Sequence, residues 1–132
     1  MASFGYNSML RDTLTGAIDF DTDTLKVMLV GAGYTESRAH SKRSDVSSEV
    51  SGAGYTAGGA VLVPTVTLDA ANNRTTIVFP AVGWASSTIT ARKAVHYKSR
   101  GGAATADELV CVDDFGADIS SSGAPFTLGA TT

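Results

Sequence analysis

The second half of the sequence is a series of short extended segments that follow one another with no helix between most of them. Residues 60–68, 74–80 and 108–115 each have the composition of a short β-strand, and clusters of Gly, Asn and Ser separate them. Parallel strands need a long crossover connection, usually a helix, and no such strand–helix–strand rhythm is present. The pattern therefore predicts an all-β fold, an antiparallel β-sandwich of jelly-roll or immunoglobulin-like kind.

The first half adds one helix and one central strand. Residues 7–16 place their apolar side chains at helical spacing between an N-cap candidate and a terminating glycine. Residues 25–30 are apolar at nearly every position, which is typical of a strand buried on both faces. We expect residues 1–17 to form an N-terminal arm with this short helix and residues 18–132 to form a single β-sandwich domain.

One predicted strand does not follow a clean alternation. Residues 88–97 place Ile89 and Tyr97 on an inner face and His96 on an outer one, but Lys93 falls in the inner row. We therefore expect His96 to face solvent, while the side on which Lys93 lies is left open.

The apolar content limits the size of the core. Leu, Ile, Val and Phe make up a little over one-fifth of the 132 residues, just above the level of ~20% below which chains are usually disordered. A length of 132 residues also suits one domain rather than two. We expect thin sheet packing lined by Thr and Val, which a neighbouring molecule can complete.

The charge balance argues against two classes of partner. The net charge is −3 and the isoelectric point is near 5.1, so nothing attracts the chain as a whole to nucleic acid or to an anionic membrane. The first residues lack the cationic start and apolar stretch of a signal peptide. The single cysteine, Cys111, lies in an apolar run where a buried, inert thiol is expected. We expect a soluble protein with no nucleic-acid or membrane partner.

No arrangement of reactive side chains predicts an enzyme, a cofactor site or a metal site. His40 and His96 are far apart in sequence and flanked by cations rather than carboxylates. Asp19, Asp21 and Asp23 have the spacing that begins an EF-hand loop, but the later Gly and Glu of that motif are missing. We interpret the three aspartates as a solvated acidic edge.

The segment from residue 31 to residue 59 has no sustained periodicity and is long for a loop in a compact domain. Such loops are usually functional or held down by a partner. It contains a cluster of cations at residues 38–43 with no acid among them. Because Tyr and Arg are common anchors of interfaces, we predict that this long loop contacts a partner protein. The candidate contact residues are Tyr34, Arg38, Lys42, Arg43 and Tyr55.

Four motifs stand out along the chain. They are Ile-Asp-Phe-Asp-Thr-Asp-Thr-Leu-Lys-Val at 18–27, Gly-Tyr-Thr-Ala-Gly-Gly at 54–59, Trp-Ala-Ser-Ser-Thr-Ile-Thr-Ala-Arg at 84–92, and Asp-Phe-Gly at 114–116 before Ser-Ser-Ser-Gly at 120–123. Together they resemble a family of small virion proteins of tailed bacteriophages, over about residues 8 to 128.

This resemblance implies a role in capsid decoration, also called cement. The expected subunit is made in the host bacterial cytoplasm and lies on the capsid exterior, where it binds the major capsid protein and copies of itself as a dimer or trimer. No individual functional residue is carried over, because the matching positions are typical of turns and core.

Two other classes of function stay open at this point. One is a tail, neck or head-fibre-base component that binds protein or host glycans through a face that includes Trp84 or Tyr97, since sugars stack on exposed aromatic rings. The other is a glycan hydrolase, which needs two carboxylates about 5 to 10 Å apart in a cleft. Asp113 and Asp114 are neighbours that point to opposite faces of a strand. We therefore expect no enzymatic activity.

Overall fold

The computed structural model describes residues 3–130, which form one α-helix and nine β-strands. Every strand pairing in this range is antiparallel, which confirms the predicted all-β class. The elements are β1 (Phe4–Gly5), α1 (Asn7–Leu14), β2 (Leu25–Val30), β3 (Ala60–Leu62), β4 (Thr65–Asp69), β5 (Arg74–Val78), β6 (Val82–Ser87), β7 (Thr90–Lys98), β8 (Leu109–Ser120) and β9 (Ala124–Leu128).

The fold is sandwich-like, with one five-stranded sheet and two smaller strand pairs. The large sheet has the order β1-β8-β7-β2-β3, while β4 pairs with β5 and β6 pairs with β9. One hydrophobic cluster joins the large sheet to the strand pairs: Leu25 and Val27 from β2 belong to it, as do Trp84 of β6 and Phe126 of β9. The rings of Trp84 and Phe126 meet edge to face, with centroids 6.1 Å apart.

The opposite face of the large sheet is also buried. Met28 and Val30 of β2 and Val95 of β7 lie in a second cluster, which Tyr6 and Tyr34 complete. Tyr34 comes from the long loop, and Tyr6 from the segment between β1 and α1. Burial on both faces explains why residues 25–30 are apolar throughout, as predicted for a central strand.

The N-terminal segment packs onto the sheet. β1 pairs with β8, and the backbone N–H of Tyr6 donates to the carbonyl of Val110. The helix ends two residues earlier than the sequence predicts, and Gly16 follows it with a φ of 82°. Within residues 3–130 this eight-residue helix is the only α-helix, and it is too short to cross a bilayer.

The pairing of β7 with β8 is irregular at two points. The register shifts between Ala91 and Lys93 and again between His96 and Tyr97, and both times the extra residues lie on β8. The prediction that His96 faces solvent is wrong: its ring is buried and lies 4.5 Å, centroid to centroid, from the ring of Phe79. A strand covered on both faces has no polar side, so alternation in the sequence could not assign one.

Candidate interaction surface

The five residues predicted to contact a partner all belong to the long loop, and the structure shows what each of them touches. Tyr34 is 1% exposed. Its hydroxyl lies 2.9 Å from the Tyr6 hydroxyl and 2.9 Å from Nδ1 of His40. In this fold Tyr34 offers no surface to a partner. It fastens the loop to the sheet instead, because the hydrophobic effect favours covering the apolar face beneath it.

Tyr55 also makes internal contacts. Its hydroxyl donates to Glu49 Oε1 (2.9 Å) and accepts from the backbone N–H of Leu29 in β2 (3.1 Å). Its ring packs at 5.8 Å from the Trp84 ring. Burial raises the pKa of the Tyr55 hydroxyl, so the group stays neutral and keeps both hydrogen bonds. The end of the long loop is thereby attached to the central strand.

Two cations of the basic cluster, Lys42 and Arg43, pair with acids of the same chain. Arg43 Nε lies 2.7 Å from Asp107 Oδ2, and the Arg43 guanidinium lies over the Tyr97 ring at 5.3 Å. Lys42 Nζ lies 3.2 Å from Glu108 Oε1, and Arg100 approaches the same carboxylate at 2.7 Å. Burial alone would raise the pKa of Glu108, but hydrogen bonds from Arg100 and Lys42 lower it.

Arg38 stacks on another element of its own chain. Its guanidinium lies 4.5 Å from the centre of the Phe4 ring, beside β1. Arg38, Lys42 and Arg43 each keep part of their side chain accessible, so contact with a partner stays a prediction for these three. Their visible role is to hold the loop against the sheet.

The exposed apolar side chains are concentrated elsewhere, in the chain segment that follows the loop. Seven large apolar side chains are exposed among the described residues: Leu10, Leu14, Val61, Val63, Val66, Leu68 and Ile119. Four of them fall within residues 61–68, with exposed fractions of 58%, 75%, 42% and 74% in sequence order. We call Val61, Val63, Val66 and Leu68 the apolar strip.

The backbone beside the apolar strip has unpaired edges. β3 is an edge strand of the large sheet, paired with β2 alone, and β4 is paired with β5 alone. No charged residue occurs anywhere from residue 50 to residue 68. Proteins usually protect such edges with charged side chains. Proline is another protective residue because it cannot donate a backbone hydrogen bond, and Pro64 is the one proline of this run.

An open groove adjoins the apolar strip. It has a volume of about 390 Å³ and is lined by Val66 of β4, by Ile18 and Phe20, and by the exposed carboxylates of Asp19 and Asp21. Exposed apolar side chains, unpaired strand edges and a groove together form a surface that another protein can cover. The sequence analysis did not identify it, although the uncharged run of residues 50–68 was a usable signal.

The aromatic residues considered for glycan binding are not on the surface. Trp84 and Tyr97 are both buried. The Tyr97 hydroxyl donates to the carbonyl of Gly58 at 2.6 Å, beneath the long loop. Neither ring is available for stacking on a sugar, which removes the specific residues on which the glycan-binding alternative depended.

The three aspartates of residues 19–23 form a hydrogen-bonded turn. Asp19 Oδ1 accepts from the N–H of Asp21, and this bond lowers the pKa of the Asp19 carboxyl. Asp23 Oδ2 accepts from the N–H of Asp19 and pairs with Lys98 Nζ, both at 2.7 Å. Across residues 3–130, no group of three or more His, Cys, Asp or Glu side chains is arranged to hold a metal ion.

Cys111 lies near a buried histidine, at the border of a second groove of about 410 Å³. Its Sγ is 3.5 Å from Nδ1 of His96. Burial raises the pKa of the Cys111 thiol and lowers the pKa of His96 to about 4. Both groups are therefore neutral near pH 7, unlike the thiolate of a nucleophilic cysteine.

The apolar strip thus holds four of the seven exposed large apolar side chains among the described residues, and the predicted contact residues lie mainly against their own sheet. Comparisons of the chain with protein-family models, with curated proteins and with solved structures found no match.

Proposed function

We propose that this protein is a virion structural subunit, a capsid decoration protein that binds the major capsid protein on the outside of the shell. The apolar strip carries this proposal, because its four apolar side chains are exposed and the strands β3 and β4 beside it have unpaired edges. The resemblance of the sequence motifs to small tailed-phage virion proteins supports the same role. In this proposal the protein acts by covering and holding its partner.

The physical requirement for such a subunit is interface area. A standard interface buries about 1,600 Å² in total, and each Å² of apolar surface removed from water contributes roughly 25 cal/mol. The four side chains of the apolar strip would form the desolvated centre of the contact. Unpaired N–H and C=O groups of β3 and β4 can add backbone hydrogen bonds to a partner strand.

The internal charge pairing favours a contact of this kind. The cations at residues 42 and 43 and the acids at residues 107 and 108 satisfy each other within the chain. A partner that reaches these four residues therefore meets charges that are already paired. Self-association as a dimer or trimer remains part of the proposal, since a symmetric shell offers equivalent neighbouring sites.

The experiment is a binding assay with purified phage heads that lack this protein. The wild-type chain should co-sediment with the heads, and the double variant Val63→Lys with Leu68→Lys should not. The matched control is Ile119→Lys, which places the same charge on an exposed apolar residue outside the apolar strip. Equal binding of the strip variant and the wild type would contradict the proposal.

Copy number separates the proposed role from the tail, neck or head-fibre-base alternative. A decoration subunit repeats at the symmetric sites of the shell, so purified particles should carry on the order of hundreds of copies. A count of about a dozen or fewer, measured by quantitative mass spectrometry of intact particles, would instead favour a tail or neck component.

A further inference from the structure

Lys93 is enclosed between the large sheet and the long loop. Its side chain is 6% exposed, and its Cα is the register partner of Asp114 on the neighbouring strand β8. Nζ contacts a carboxylate oxygen of Glu36, donates to the carbonyl of Tyr34 at 2.6 Å and lies 3.9 Å from Oδ2 of Asp114. An amine and two carboxylates thus share one site shielded from water.

The two oxygens of Asp114 have different surroundings. Oδ1 accepts from the N–H of Gly116 at 2.7 Å and lies 3.8 Å from Nε of Arg92. Oδ2 accepts no hydrogen bond from the described residues, and it is the oxygen that lies near Lys93 Nζ. The side chain is 2% exposed. The carboxyl group is therefore held by donors at one oxygen and faces the amine with the other.

We propose that Lys93 and Asp114 condense to an isopeptide bond that covalently joins β7 to β8. Glu36 takes a proton from the Lys93 ammonium, and the freed lone pair attacks Cγ of Asp114. The Nζ–Cγ bond forms and the Cγ–Oδ2 bond breaks. Oδ2 leaves as water with the proton returned by Glu36 and a second proton from Nζ. An ammonium and a carboxylate become one amide and one water, with no oxidation or reduction.

Three features of the site favour this reaction. The strand register pairs the two residues and the amine lies 3.9 Å from Oδ2, so most of the entropy cost of bringing the groups together is already met by folding. The N–H of Gly116 and the cation of Arg92 stabilise negative charge on Oδ1 in the tetrahedral intermediate. The product replaces two buried charges, which are costly in an apolar environment, with a neutral amide.

A second lysine–aspartate pair shows what is specific to this site. Lys98 Nζ lies 2.7 Å from Asp23 Oδ2, a shorter separation than in the Lys93–Asp114 pair. The Asp23 side chain is about one-fifth exposed, and no second carboxylate hydrogen-bonds to Lys98 Nζ among the described contacts. Lys98 therefore serves as the matched control.

The test is the intact mass of the folded, purified full chain, measured after denaturation. The expected mass is lower than the sequence mass by one water. Trypsin should release residues 93–98 and 101–132 as one branched peptide, because cleavage follows Arg92, Lys98 and Arg100 but not the acylated Lys93. An intact mass equal to the sequence mass would overturn the proposal, and so would a water loss without the branched peptide.

Variants assign the roles. Lys93→Arg and Glu36→Gln should keep their full sequence masses, whereas the control Lys98→Arg should lose one water like the wild type. Asp114→Asn should form the same amide by releasing ammonia, so its linked product should have the same mass as the linked wild-type chain. This last variant preserves the side-chain shape, which keeps the test decisive if the others fold poorly. Water loss from Lys93→Arg would contradict the assignment. The cross-link does not depend on the proposed capsid role.

Discussion

The long loop of residues 31–59 and the apolar strip that follows it each show the reverse of the burial that their composition suggests. The loop is rich in Gly, Ser and charge, yet Tyr34, Tyr55 and Arg43 fasten it to its own sheet. The apolar strip has the composition of a core segment, yet it is exposed. The comparison shows that a surface free to bind a partner is what the rest of the fold leaves uncovered, whatever its composition.

The largest expected effect comes from removing the loop's buried aromatic anchor. Tyr34→Ala should lower the free energy of unfolding by about 4 kcal/mol, the usual cost of deleting a large buried ring. Denaturant titration measures it. Tyr34→Phe is the control and should cost about 1 kcal/mol, since it removes only the hydroxyl's hydrogen bonds. A Tyr34→Ala variant as stable as the wild type would mean that the loop is not held as described.

Breaking the ion pair between Arg43 and Asp107 should have the next largest effect on the free energy of unfolding. Asp107 accepts from Arg43 Nε and from the backbone N–H of Arg100, and its side chain is almost fully buried. Asp107→Ala should cost about 3 kcal/mol, because it leaves a partly buried guanidinium without its partner. The exposed pair Arg74–Asp69 provides the control, and Arg74→Ala should cost less than about 1 kcal/mol. Similar losses in both variants would contradict this difference between buried and exposed pairs.

Acid should lower the free energy of unfolding, because His96 is buried in the core in its neutral form. Burial lowers the pKa of His96 to about 4, against an ordinary value of 6.5. Between pH 6.5 and about pH 4, His96 is protonated in the unfolded chain and neutral in the folded chain. The free energy of unfolding therefore falls as the pH drops below 6.5. The expected loss is roughly 2 kcal/mol between pH 8 and pH 5. Unfolding titrations across this range should show the loss in the wild type and a flatter profile in His96→Gln. Identical slopes would remove His96 as the cause.

The smallest effect on stability is expected in the apolar strip. Val63→Lys with Leu68→Lys should change the free energy of unfolding by no more than about 0.5 kcal/mol, because both side chains are already exposed. The same variant is expected to lose binding to phage heads, so it should lose the proposed function while keeping its stability. A large loss of stability in the isolated chain would mean that the apolar strip is covered within its own fold.

Several elements could be predicted from local sequence. The apolar run of residues 25–30 became β2, and the Asn-containing cluster between the predicted segments 60–68 and 74–80 became the β4–β5 connection, with Asn73 at a φ of 52°. The strand predicted at residues 108–115 continues to Ser120, since its second half pairs with Thr90 and Ala91 across a register shift. Small residues carry no apolar pattern, so that extension depends on the neighbouring strand.

The candidate surface was harder to predict than the fold. The five residues chosen in the long loop are the types that anchor interfaces, but type alone does not say which acid or ring lies nearby. Arg43 meets Asp107, and Lys42 meets Glu108, across more than sixty residues of sequence. Pairings at that separation have no local signature.

The sequence by itself determined the antiparallel strands, the turns between them, the single short helix and the uncharged run of residues 50–68. Those properties depend on the side chains of neighbouring residues. The tertiary structure alone decided that Lys93 and His96 are enclosed and that the apolar strip is exposed. Burial is a property of layers assembled from distant parts of the chain, because a side chain is desolvated only by whatever packs against it.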